Sequence, residues 1–207
     1  MTSSSPASSR KRTPVRLREL QAPDRAPLAA ILRATESFPE NEITVALELI
    51  DEALAKTAVK AAPLPDDYRF LVAEPARAVG DSAAAEAAVS RTAPVIGYVC
   101  WGRNPMSDGV FDLYWIAVDP TLQGGGTGHA LMAAAEADIT AGGGRMILVE
   151  TGGKASYAPT RRFYERIGYV EIARLPDFFR QGDDKVIYAR RLDGLALTRR
   201  SDESVVP

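Results

Sequence analysis

The stretch from Asp119 to Leu131 reads Asp-Pro-Thr-Leu-Gln-Gly-Gly-Gly-Thr-Gly-His-Ala-Leu, and it is where residue type and spacing most directly define a chemistry. It follows an apolar, strand-like run from Leu113 to Val118 and opens into an alanine-rich helical pattern. Glycines remove side chains where a backbone must come close to a partner, and a helix N-terminus leaves amide donors free for an anion. The pattern therefore predicts a phosphate-cradling turn. A P-loop requires Lys and then Ser or Thr after its last glycine, whereas Gly128 is followed by His129 and Ala130. A dinucleotide turn requires G-x-G-x-x-G after the first strand, whereas Gly124, Gly126 and Gly128 give G-x-G-x-G beyond the chain midpoint. Neither pattern is met.

Gln123, Gly126 and Gly128 do spell Q-x-x-G-x-G behind a strand ending Ile116-Ala117-Val118-Asp119-Pro120. A second motif runs from Tyr157 through Ala158, Phe163, Tyr164 and Gly168 to Tyr169. In these two places the chain resembles the GNAT family of acyl-CoA-dependent N-acetyltransferases. Their pyrophosphate loop has the first form, and a short A-x-x-F-Y-x-x-x-G-F or -Y helix lies beside the coenzyme. The resemblance covers residues 14–192, with motif character concentrated between Asp112 and Tyr169. It implies the acyl-CoA N-acyltransferase fold, an α/β architecture with a mixed, mostly antiparallel central sheet of about seven strands and helices on both faces. It also implies acetyl-CoA as cosubstrate and direct attack by a primary amine, small-molecule or peptide, through a tetrahedral intermediate.

Carried over residue by residue, the resemblance gives the pyrophosphate to Gln123 and to the amides of Gly124, Gly125, Gly126, Thr127, Gly128 and His129 at the positive end of a helix. The pantetheine arm falls to the backbone of Ile116, Ala117 and Val118, where the two middle strands of the family splay apart. The Val118 amide is then placed to polarise the thioester carbonyl, a role that can be worth ~3 kcal/mol in the transition state. An alkylamine of pKa ~10 must lose a proton before attack. Glu150, at the end of the neighbouring strand, is the candidate base; its alternative is a structural carboxylate bonded to amides from Thr151 to Gly153. Asp112 and Tyr114 offer other routes for that proton. Tyr164 aligns with the tyrosine that protonates the leaving thiolate in many members, with an aromatic core residue as the alternative. Adjacent helical positions do not share a face, so Phe163 is expected to take the core. Tyr157 stands seven residues before Tyr164, where many members place an Asn that bonds the pantetheine. A different class of function, a non-catalytic acyl-CoA-binding sensor or regulatory module, shares the loop and lacks the need for Glu150 and Tyr164.

The elements that must position these residues follow from periodicity. Val15 and Leu17 alternate with Arg16 and Arg18 as in a half-exposed strand. Asp24 is expected to cap a helix burying Leu28, Ile31 and Leu32. A helix from Pro39 keeps Ile43, Leu47, Ile50 and Leu54 on one face and Glu40, Glu42, Glu48, Asp51 and Glu52 on the other. That acidic face is either solvated or a guide for a cationic acceptor. Tyr68 to Ala73 reads as a strand, 76–93 as a loop insertion, and Val95 to Trp101 and Val110 to Val118 as a hairpin turned by Asn104 to Gly109. Leu131, Ala135 and Ile139 mark the helix after the glycine turn, ended by Gly142-Gly143-Gly144. A strand from Arg145 to Glu150, a helix from Ala158 to Ile167 and strands from Tyr169 to Ala173 and Lys185 to Leu192 complete the domain. Asp177 to Arg180 and Asp183-Asp184 then lie between the last two strands, a hairpin that often borders the acceptor in the family.

Length and charge fit this organisation. The chain of 207 residues suits one domain at 14–192 between a disordered tail at 1–13 and a polar tail from Asp193. A net charge of -2 provides no global field for nucleic acid or an anionic membrane. No apolar run approaches the ~20 residues of a membrane span, and a cytoplasmic protein is expected. Cys100 is the only cysteine and His129 the only histidine, so neither a disulfide framework, a cysteine-rich metal cluster nor a Ser-His-Asp triad is expected. Cys100 reads as core rather than nucleophile, Trp101 and Trp115 as core or pocket wall, and a homodimer stays open.

Overall fold

The computed structural model describes residues 14–59, 67–76 and 94–197. The tail at 1–13, nearly all of the expected insertion at 76–93 and the end of the chain lie outside the described residues. Strand β1 (Val15–Arg18) leads to helices α1 (Arg25–Ala34) and α2 (Glu40–Ala58). Strands β2 (Arg69–Pro75), β3 (Gly97–Arg103) and β4 (Val110–Val118) follow, then α3 (Thr127–Ala141), β5 (Met146–Gly152), α4 (Ala158–Arg166), β6 (Val170–Arg180) and β7 (Asp183–Arg191). They form one seven-stranded sheet in the order β1-β2-β3-β4-β5-β7-β6, and among its neighbouring pairs only β4 and β5 run parallel.

Strand alternation explains why helices cover both faces. Val99 and Trp101 point to a core shared with Leu131, Met132, Ala135 and Ile139 of α3, whereas Tyr98 and Cys100 point to one built from Leu28, Leu32, Ile43 and Ile50 of α1 and α2. Trp101 and Cys100 are core residues, and burial pushes the Cys100 thiol well up from its ordinary value, away from the thiolate a nucleophile needs. Residues of α2 that alternate away from the core are largely tied in surface ion pairs. Asp51 meets Arg25, Glu40 meets Arg33 and Glu52 meets Lys56.

Two local expectations are corrected. Asp24 does precede α1, but its backbone is already helical and its carboxylate makes no capping bond. It is buried instead against Arg18, whose Nη1 and Nη2 donate at 2.7 and 2.8 Å, and it accepts from the Gln21 amide at 2.8 Å. Glu74 takes the remaining Arg18 Nε–H at 3.0 Å, so one guanidinium answers two buried carboxylates and locks β1 to β2. The last hairpin is also longer than expected. Asp177 to Arg180 belong to β6 and Asp183-Asp184 to β7, with Arg180 opposite Asp183 across a turn that contains Gly182 at φ 76. Pro176 cannot donate to the ladder, and Asp177 adopts φ 54, so pairing is interrupted between Leu175 and Arg180. That irregularity gives the stretch the sequence signature of a loop.

Candidate active site

The sheet opens where β4 and β5 part. The two strands pair from Val110 opposite Met146 to Leu113 opposite Val149, and no further. Beyond that point β4 stays with β3 and β5 stays with β7. An irregularity sits at the same level, because Cys100 faces Trp115 while Trp101 faces Leu113, leaving Tyr114 as an extra residue on β4. Such a bulge bends the strand and increases its twist, which separates the two neighbours. The Asp119 amide donates to Ile96 O at 2.9 Å, toward the β3 side. Strand alternation then turns the N–H and C=O groups of Val118 and Ile116 the other way, into the split. Consistent with this, Val118 O accepts from Gln123 Nε2 at 3.2 Å, so the glutamine holds the glycine turn against the end of β4.

The turn itself is set by backbone conformation. Gly124 and Gly126 take φ 83 and φ 93, left-handed values that favour glycine. Gly126 is the N-cap of α3, no side chain caps the helix, and its first turn begins when Ala130 N donates to Gly126 O at 3.0 Å. The amides ahead of Ala130 therefore lack intrahelical acceptors. The Thr127 hydroxyl is buried, without a hydrogen-bond partner among the described residues. A groove of about 500 Å³ runs along this turn from Ile116 and Val118 past Gly124, Gly126, Thr127, Gly128 and His129 to Pro159, Thr160 and Phe163 of α4. His129 is exposed and Gly125 buried. The Phe163 ring would lie 3.4 Å from a Cβ added at Gly128, so α4 and the turn form opposite walls.

On the other side of the split a second cavity of about 690 Å³ is lined by Ile116, Ala117, Val118, Tyr114 and Trp115 of β4, Glu150 of β5, Tyr157 and Tyr164. It shares Ile116, Val118, Gln123 and Thr160 with the groove, so the open edge of β4 borders both spaces. Tyr164 is the buried member of its helix pair, at 3% exposure, and Phe163 is the half-buried one. This reverses the expected order. The helix turns both rings inward, with centroids 5.4 Å apart, and Tyr164 also packs on Tyr169 and Tyr188 at 5.8 and 5.9 Å. Its hydroxyl has no hydrogen-bond partner among the described residues, and burial raises the phenol well above its ordinary value.

Glu150 stands at the rim, 54% exposed at its side chain, with Lys185 Nζ 2.5 Å from Oε2. That ion pair, rather than amides from Thr151 to Gly153, is its partner. Asp112 lies deeper and accepts from Asn104 Nδ2 at 2.9 Å; its carboxyl is pushed up mainly by burial, with a further contribution from the charge of Glu150. Burial, then Asp112, pushes Tyr114 up to about 12. Tyr157 is turned away from the glycine turn. Its hydroxyl donates to Ser37 O in the α1–α2 connection, and its ring fills the space beside Gly152, where a Cβ would come within 2.8 Å.

Several cavity residues were not singled out in the sequence. Glu36, Ser37 and Phe38 reach it from the α1–α2 connection, and Glu36 holds φ 53, unusual for a residue with a side chain. A phenylalanine before Pro39 in an otherwise polar connection is the one local signal that pointed there. Among the described residues no group of His, Cys, Asp and Glu could hold a metal ion, and no helix is long and apolar enough to cross a membrane.

A mixed sheet split between two parallel strands, with a glycine turn and helix N-terminus at the mouth of the split, defines the class of acyl-CoA N-acyltransferase folds. The model of the acetyltransferase (GNAT) domain matches residues 66–171. A solved GNAT-family protein from Desulfovibrio desulfuricans is 36% identical, with a TM-score of 0.71 over 86% of this chain and 99% of its own. The fold recurs at 17% identity in the ribosomal-protein-S18-alanine N-acetyltransferase of Escherichia coli, with a TM-score of 0.56 over 88% of this chain and 99% of that one. It recurs at the same identity in yncA from Salmonella typhimurium, solved with its cofactor acetyl-CoA, with a TM-score of 0.60 over 88% of this chain and 96% of that one. Compared by sequence with curated proteins, the chain matches none. The chain belongs to the GNAT family of acetyltransferases and is an acyltransferase enzyme.

Proposed function

We propose that the enzyme transfers acetyl from acetyl-CoA to a primary amine by direct attack, with the coenzyme in the groove and the acceptor in the second cavity. The observation that carries this is the open edge of β4, which borders both spaces at Ile116 and Val118. The residues present fit the coenzyme. The uncapped amides from Gly126 to His129 and the orphaned Thr127 hydroxyl are donors for a pyrophosphate. The N–H groups of Ile116 and Val118 and the C=O of Ile116, turned into the split, match a peptide-like pantetheine arm, and Gln123 acts by stapling the turn to β4 through Val118 O. Bound there, acetyl-CoA supplies the activated acyl group.

The Val118 amide faces the split and stabilises the oxyanion as the amine adds. Collapse of the tetrahedral intermediate breaks the carbon–sulfur bond, and the Tyr164 phenol gives its proton to the departing thiolate. Burial keeps the phenol protonated at neutral pH, the form in which it can give up a proton. Glu150 receives the proton of the incoming ammonium, directly or through water at the exposed rim. Lys185 Nζ lies 2.5 Å from its Oε2, and the half-buried Asp112 stands close enough to feel its charge. Tyr157, bonded to Ser37 O, shapes the acceptor cavity and leaves the coenzyme to the glycine turn.

Glu150→Gln tests the base. It is expected to lower kcat/KM by roughly 30-fold near neutral pH. The deficit should narrow as pH approaches the amine's own pKa of ~10, where solution supplies the free amine. A deficit constant across the pH profile would assign Glu150 a structural role through Lys185 instead.

A further inference from the structure

The groove along the glycine turn carries a charge that the fold does not use. Of the described residues that line it, Arg166 alone has a guanidinium or ammonium group, and no Asp or Glu is among them. Arg166 is exposed, and its side chain has no ion pair, hydrogen bond or ring partner among the described residues. Arginines elsewhere are engaged. On the same helix Arg161 donates to Gly152 O and Lys154 O at 2.6 and 2.9 Å, and Arg174 and Arg190 lie against carboxylates. Glu165, beside Arg166 in the chain, accepts from the Tyr188 hydroxyl instead, at 3.0 Å. A cation in the last turn of α4 complements the helix dipole. That accounts for its sign but not for its place in the groove.

Helix α4 measures out that place. Thr160, Phe163 and Arg166 follow at three-residue steps, and all three line the groove. Thr160 also lines the acceptor cavity and so marks the split, whereas the Phe163 ring stands across from Gly128 in the glycine turn. At 1.5 Å per residue Arg166 comes ~4.5 Å further along, beyond the turn and away from the split. Coenzyme A has a matching order of parts: thiol, pantetheine arm, pyrophosphate, then a ribose that bears a 3′-phosphate and adenine. With the thioester at the split and the pyrophosphate on the turn, the 3′-phosphate falls at the Arg166 end. It is a monoester, with a charge of about −1.5 to −2 at neutral pH and three acceptor oxygens. A guanidinium fork meets such a group with two parallel hydrogen bonds.

We propose that Arg166 recognises the 3′-phosphate of the coenzyme, so that the enzyme discriminates coenzyme A from its 3′-dephospho form. This rests on the reading of the groove as the coenzyme site, and it adds a specificity-determining residue to that site. The contact is remote from the reacting atoms and selects the nucleotide end of the coenzyme.

The test is a binding measurement with no acceptor present. Coenzyme A and 3′-dephospho-coenzyme A are titrated calorimetrically into the full chain at low and at high salt. Wild type is expected to bind coenzyme A roughly 10-fold more tightly, and the preference should shrink as salt screens an exposed contact. Arg166→Gln should bring the two affinities together by weakening coenzyme A and leaving the dephospho form unchanged. Arg166→Lys should keep part of the preference, since it restores the charge without the fork. Arg162→Gln is the matched control: Arg162 is exposed and unpartnered among the described residues, four positions before Arg166, and it does not line the groove. Its loss should leave the ratio intact. Equal affinities in wild type, a ratio kept by Arg166→Gln, or an equal fall in Arg162→Gln would overturn the contact and leave the coenzyme site standing. Binding of neither form would overturn the coenzyme site and the contact together.

Discussion

Tyr164→Phe is expected to lower kcat by roughly 100- to 10,000-fold while affinity for acetyl-CoA is kept. The substitution deletes one hydroxyl and keeps the ring that packs on Phe163, Tyr169 and Tyr188, so the α4 core should survive it. What is lost is the proton for the leaving thiolate. Tyr164 borders the acceptor cavity, and its hydroxyl has no competing partner among the described residues. The pH profile gives a second readout. An ordinary phenol titrates near ~10, and burial moves Tyr164 upward from there. The acidic form is therefore retained as pH rises, and the wild-type rate should show no alkaline fall below pH ~10. Steady-state rates and coenzyme titrations on the two proteins check both statements. A kcat within a few-fold of wild type would make Tyr164 a core residue only.

Gly126→Val is expected to weaken acetyl-CoA binding by at least ~100-fold, through backbone rather than charge. Gly126 sits at φ 93 as the N-cap of α3. A residue with a Cβ costs ~1–2 kcal/mol in that left-handed conformation, and a β-branched one is the least tolerant. Relaxing the strain rotates the amides of the first turn of α3 away from a common point, and the anion site disperses. Gly143→Val is the matched control, because Gly143 has φ 79 beyond the opposite end of the same helix and open space around it. Both variants should lose thermal stability, and only Gly126→Val should lose stabilisation by acetyl-CoA. Equal coenzyme affinity in the two would remove the turn from the binding site.

The glycine turn and the strand ahead of it were legible because their signals are local. Glycine spacing, an apolar run that ends at Val118 and an alanine-rich helix need no tertiary partner to be read. Element order from β1 to β7 was legible for the same reason, through periods of two and 3.6. Features that depend on partners far along the chain were not. Asp24 has the composition of a helix cap, but Arg18 lies across the β1–α1 connection and takes its carboxylate. Phe163 looked like the core residue beside Tyr164, and the packing of Tyr169 and Tyr188 on α4 decides otherwise. The β6 extension was hidden by Pro176 and the positive φ of Asp177, which imitate a loop while Arg180 and Asp183 still pair. As a result the acceptor wall, with Glu36, Phe38 and Asp183, emerges only once α1–α2 and β6–β7 are brought to the same side of the split.

The most direct test of acetyl transfer across that split follows both products at once. The protein, acetyl-CoA and a primary amine are mixed, and free coenzyme thiol and N-acetylated amine are quantified over time. Thiol and acetylated amine accumulating in equal amounts, many turnovers per enzyme, is the expected result. Acetyl-CoA bound tightly in the groove, with no thiol released in the presence of this or any other amine, would contradict it and make the cleft a coenzyme-sensing site.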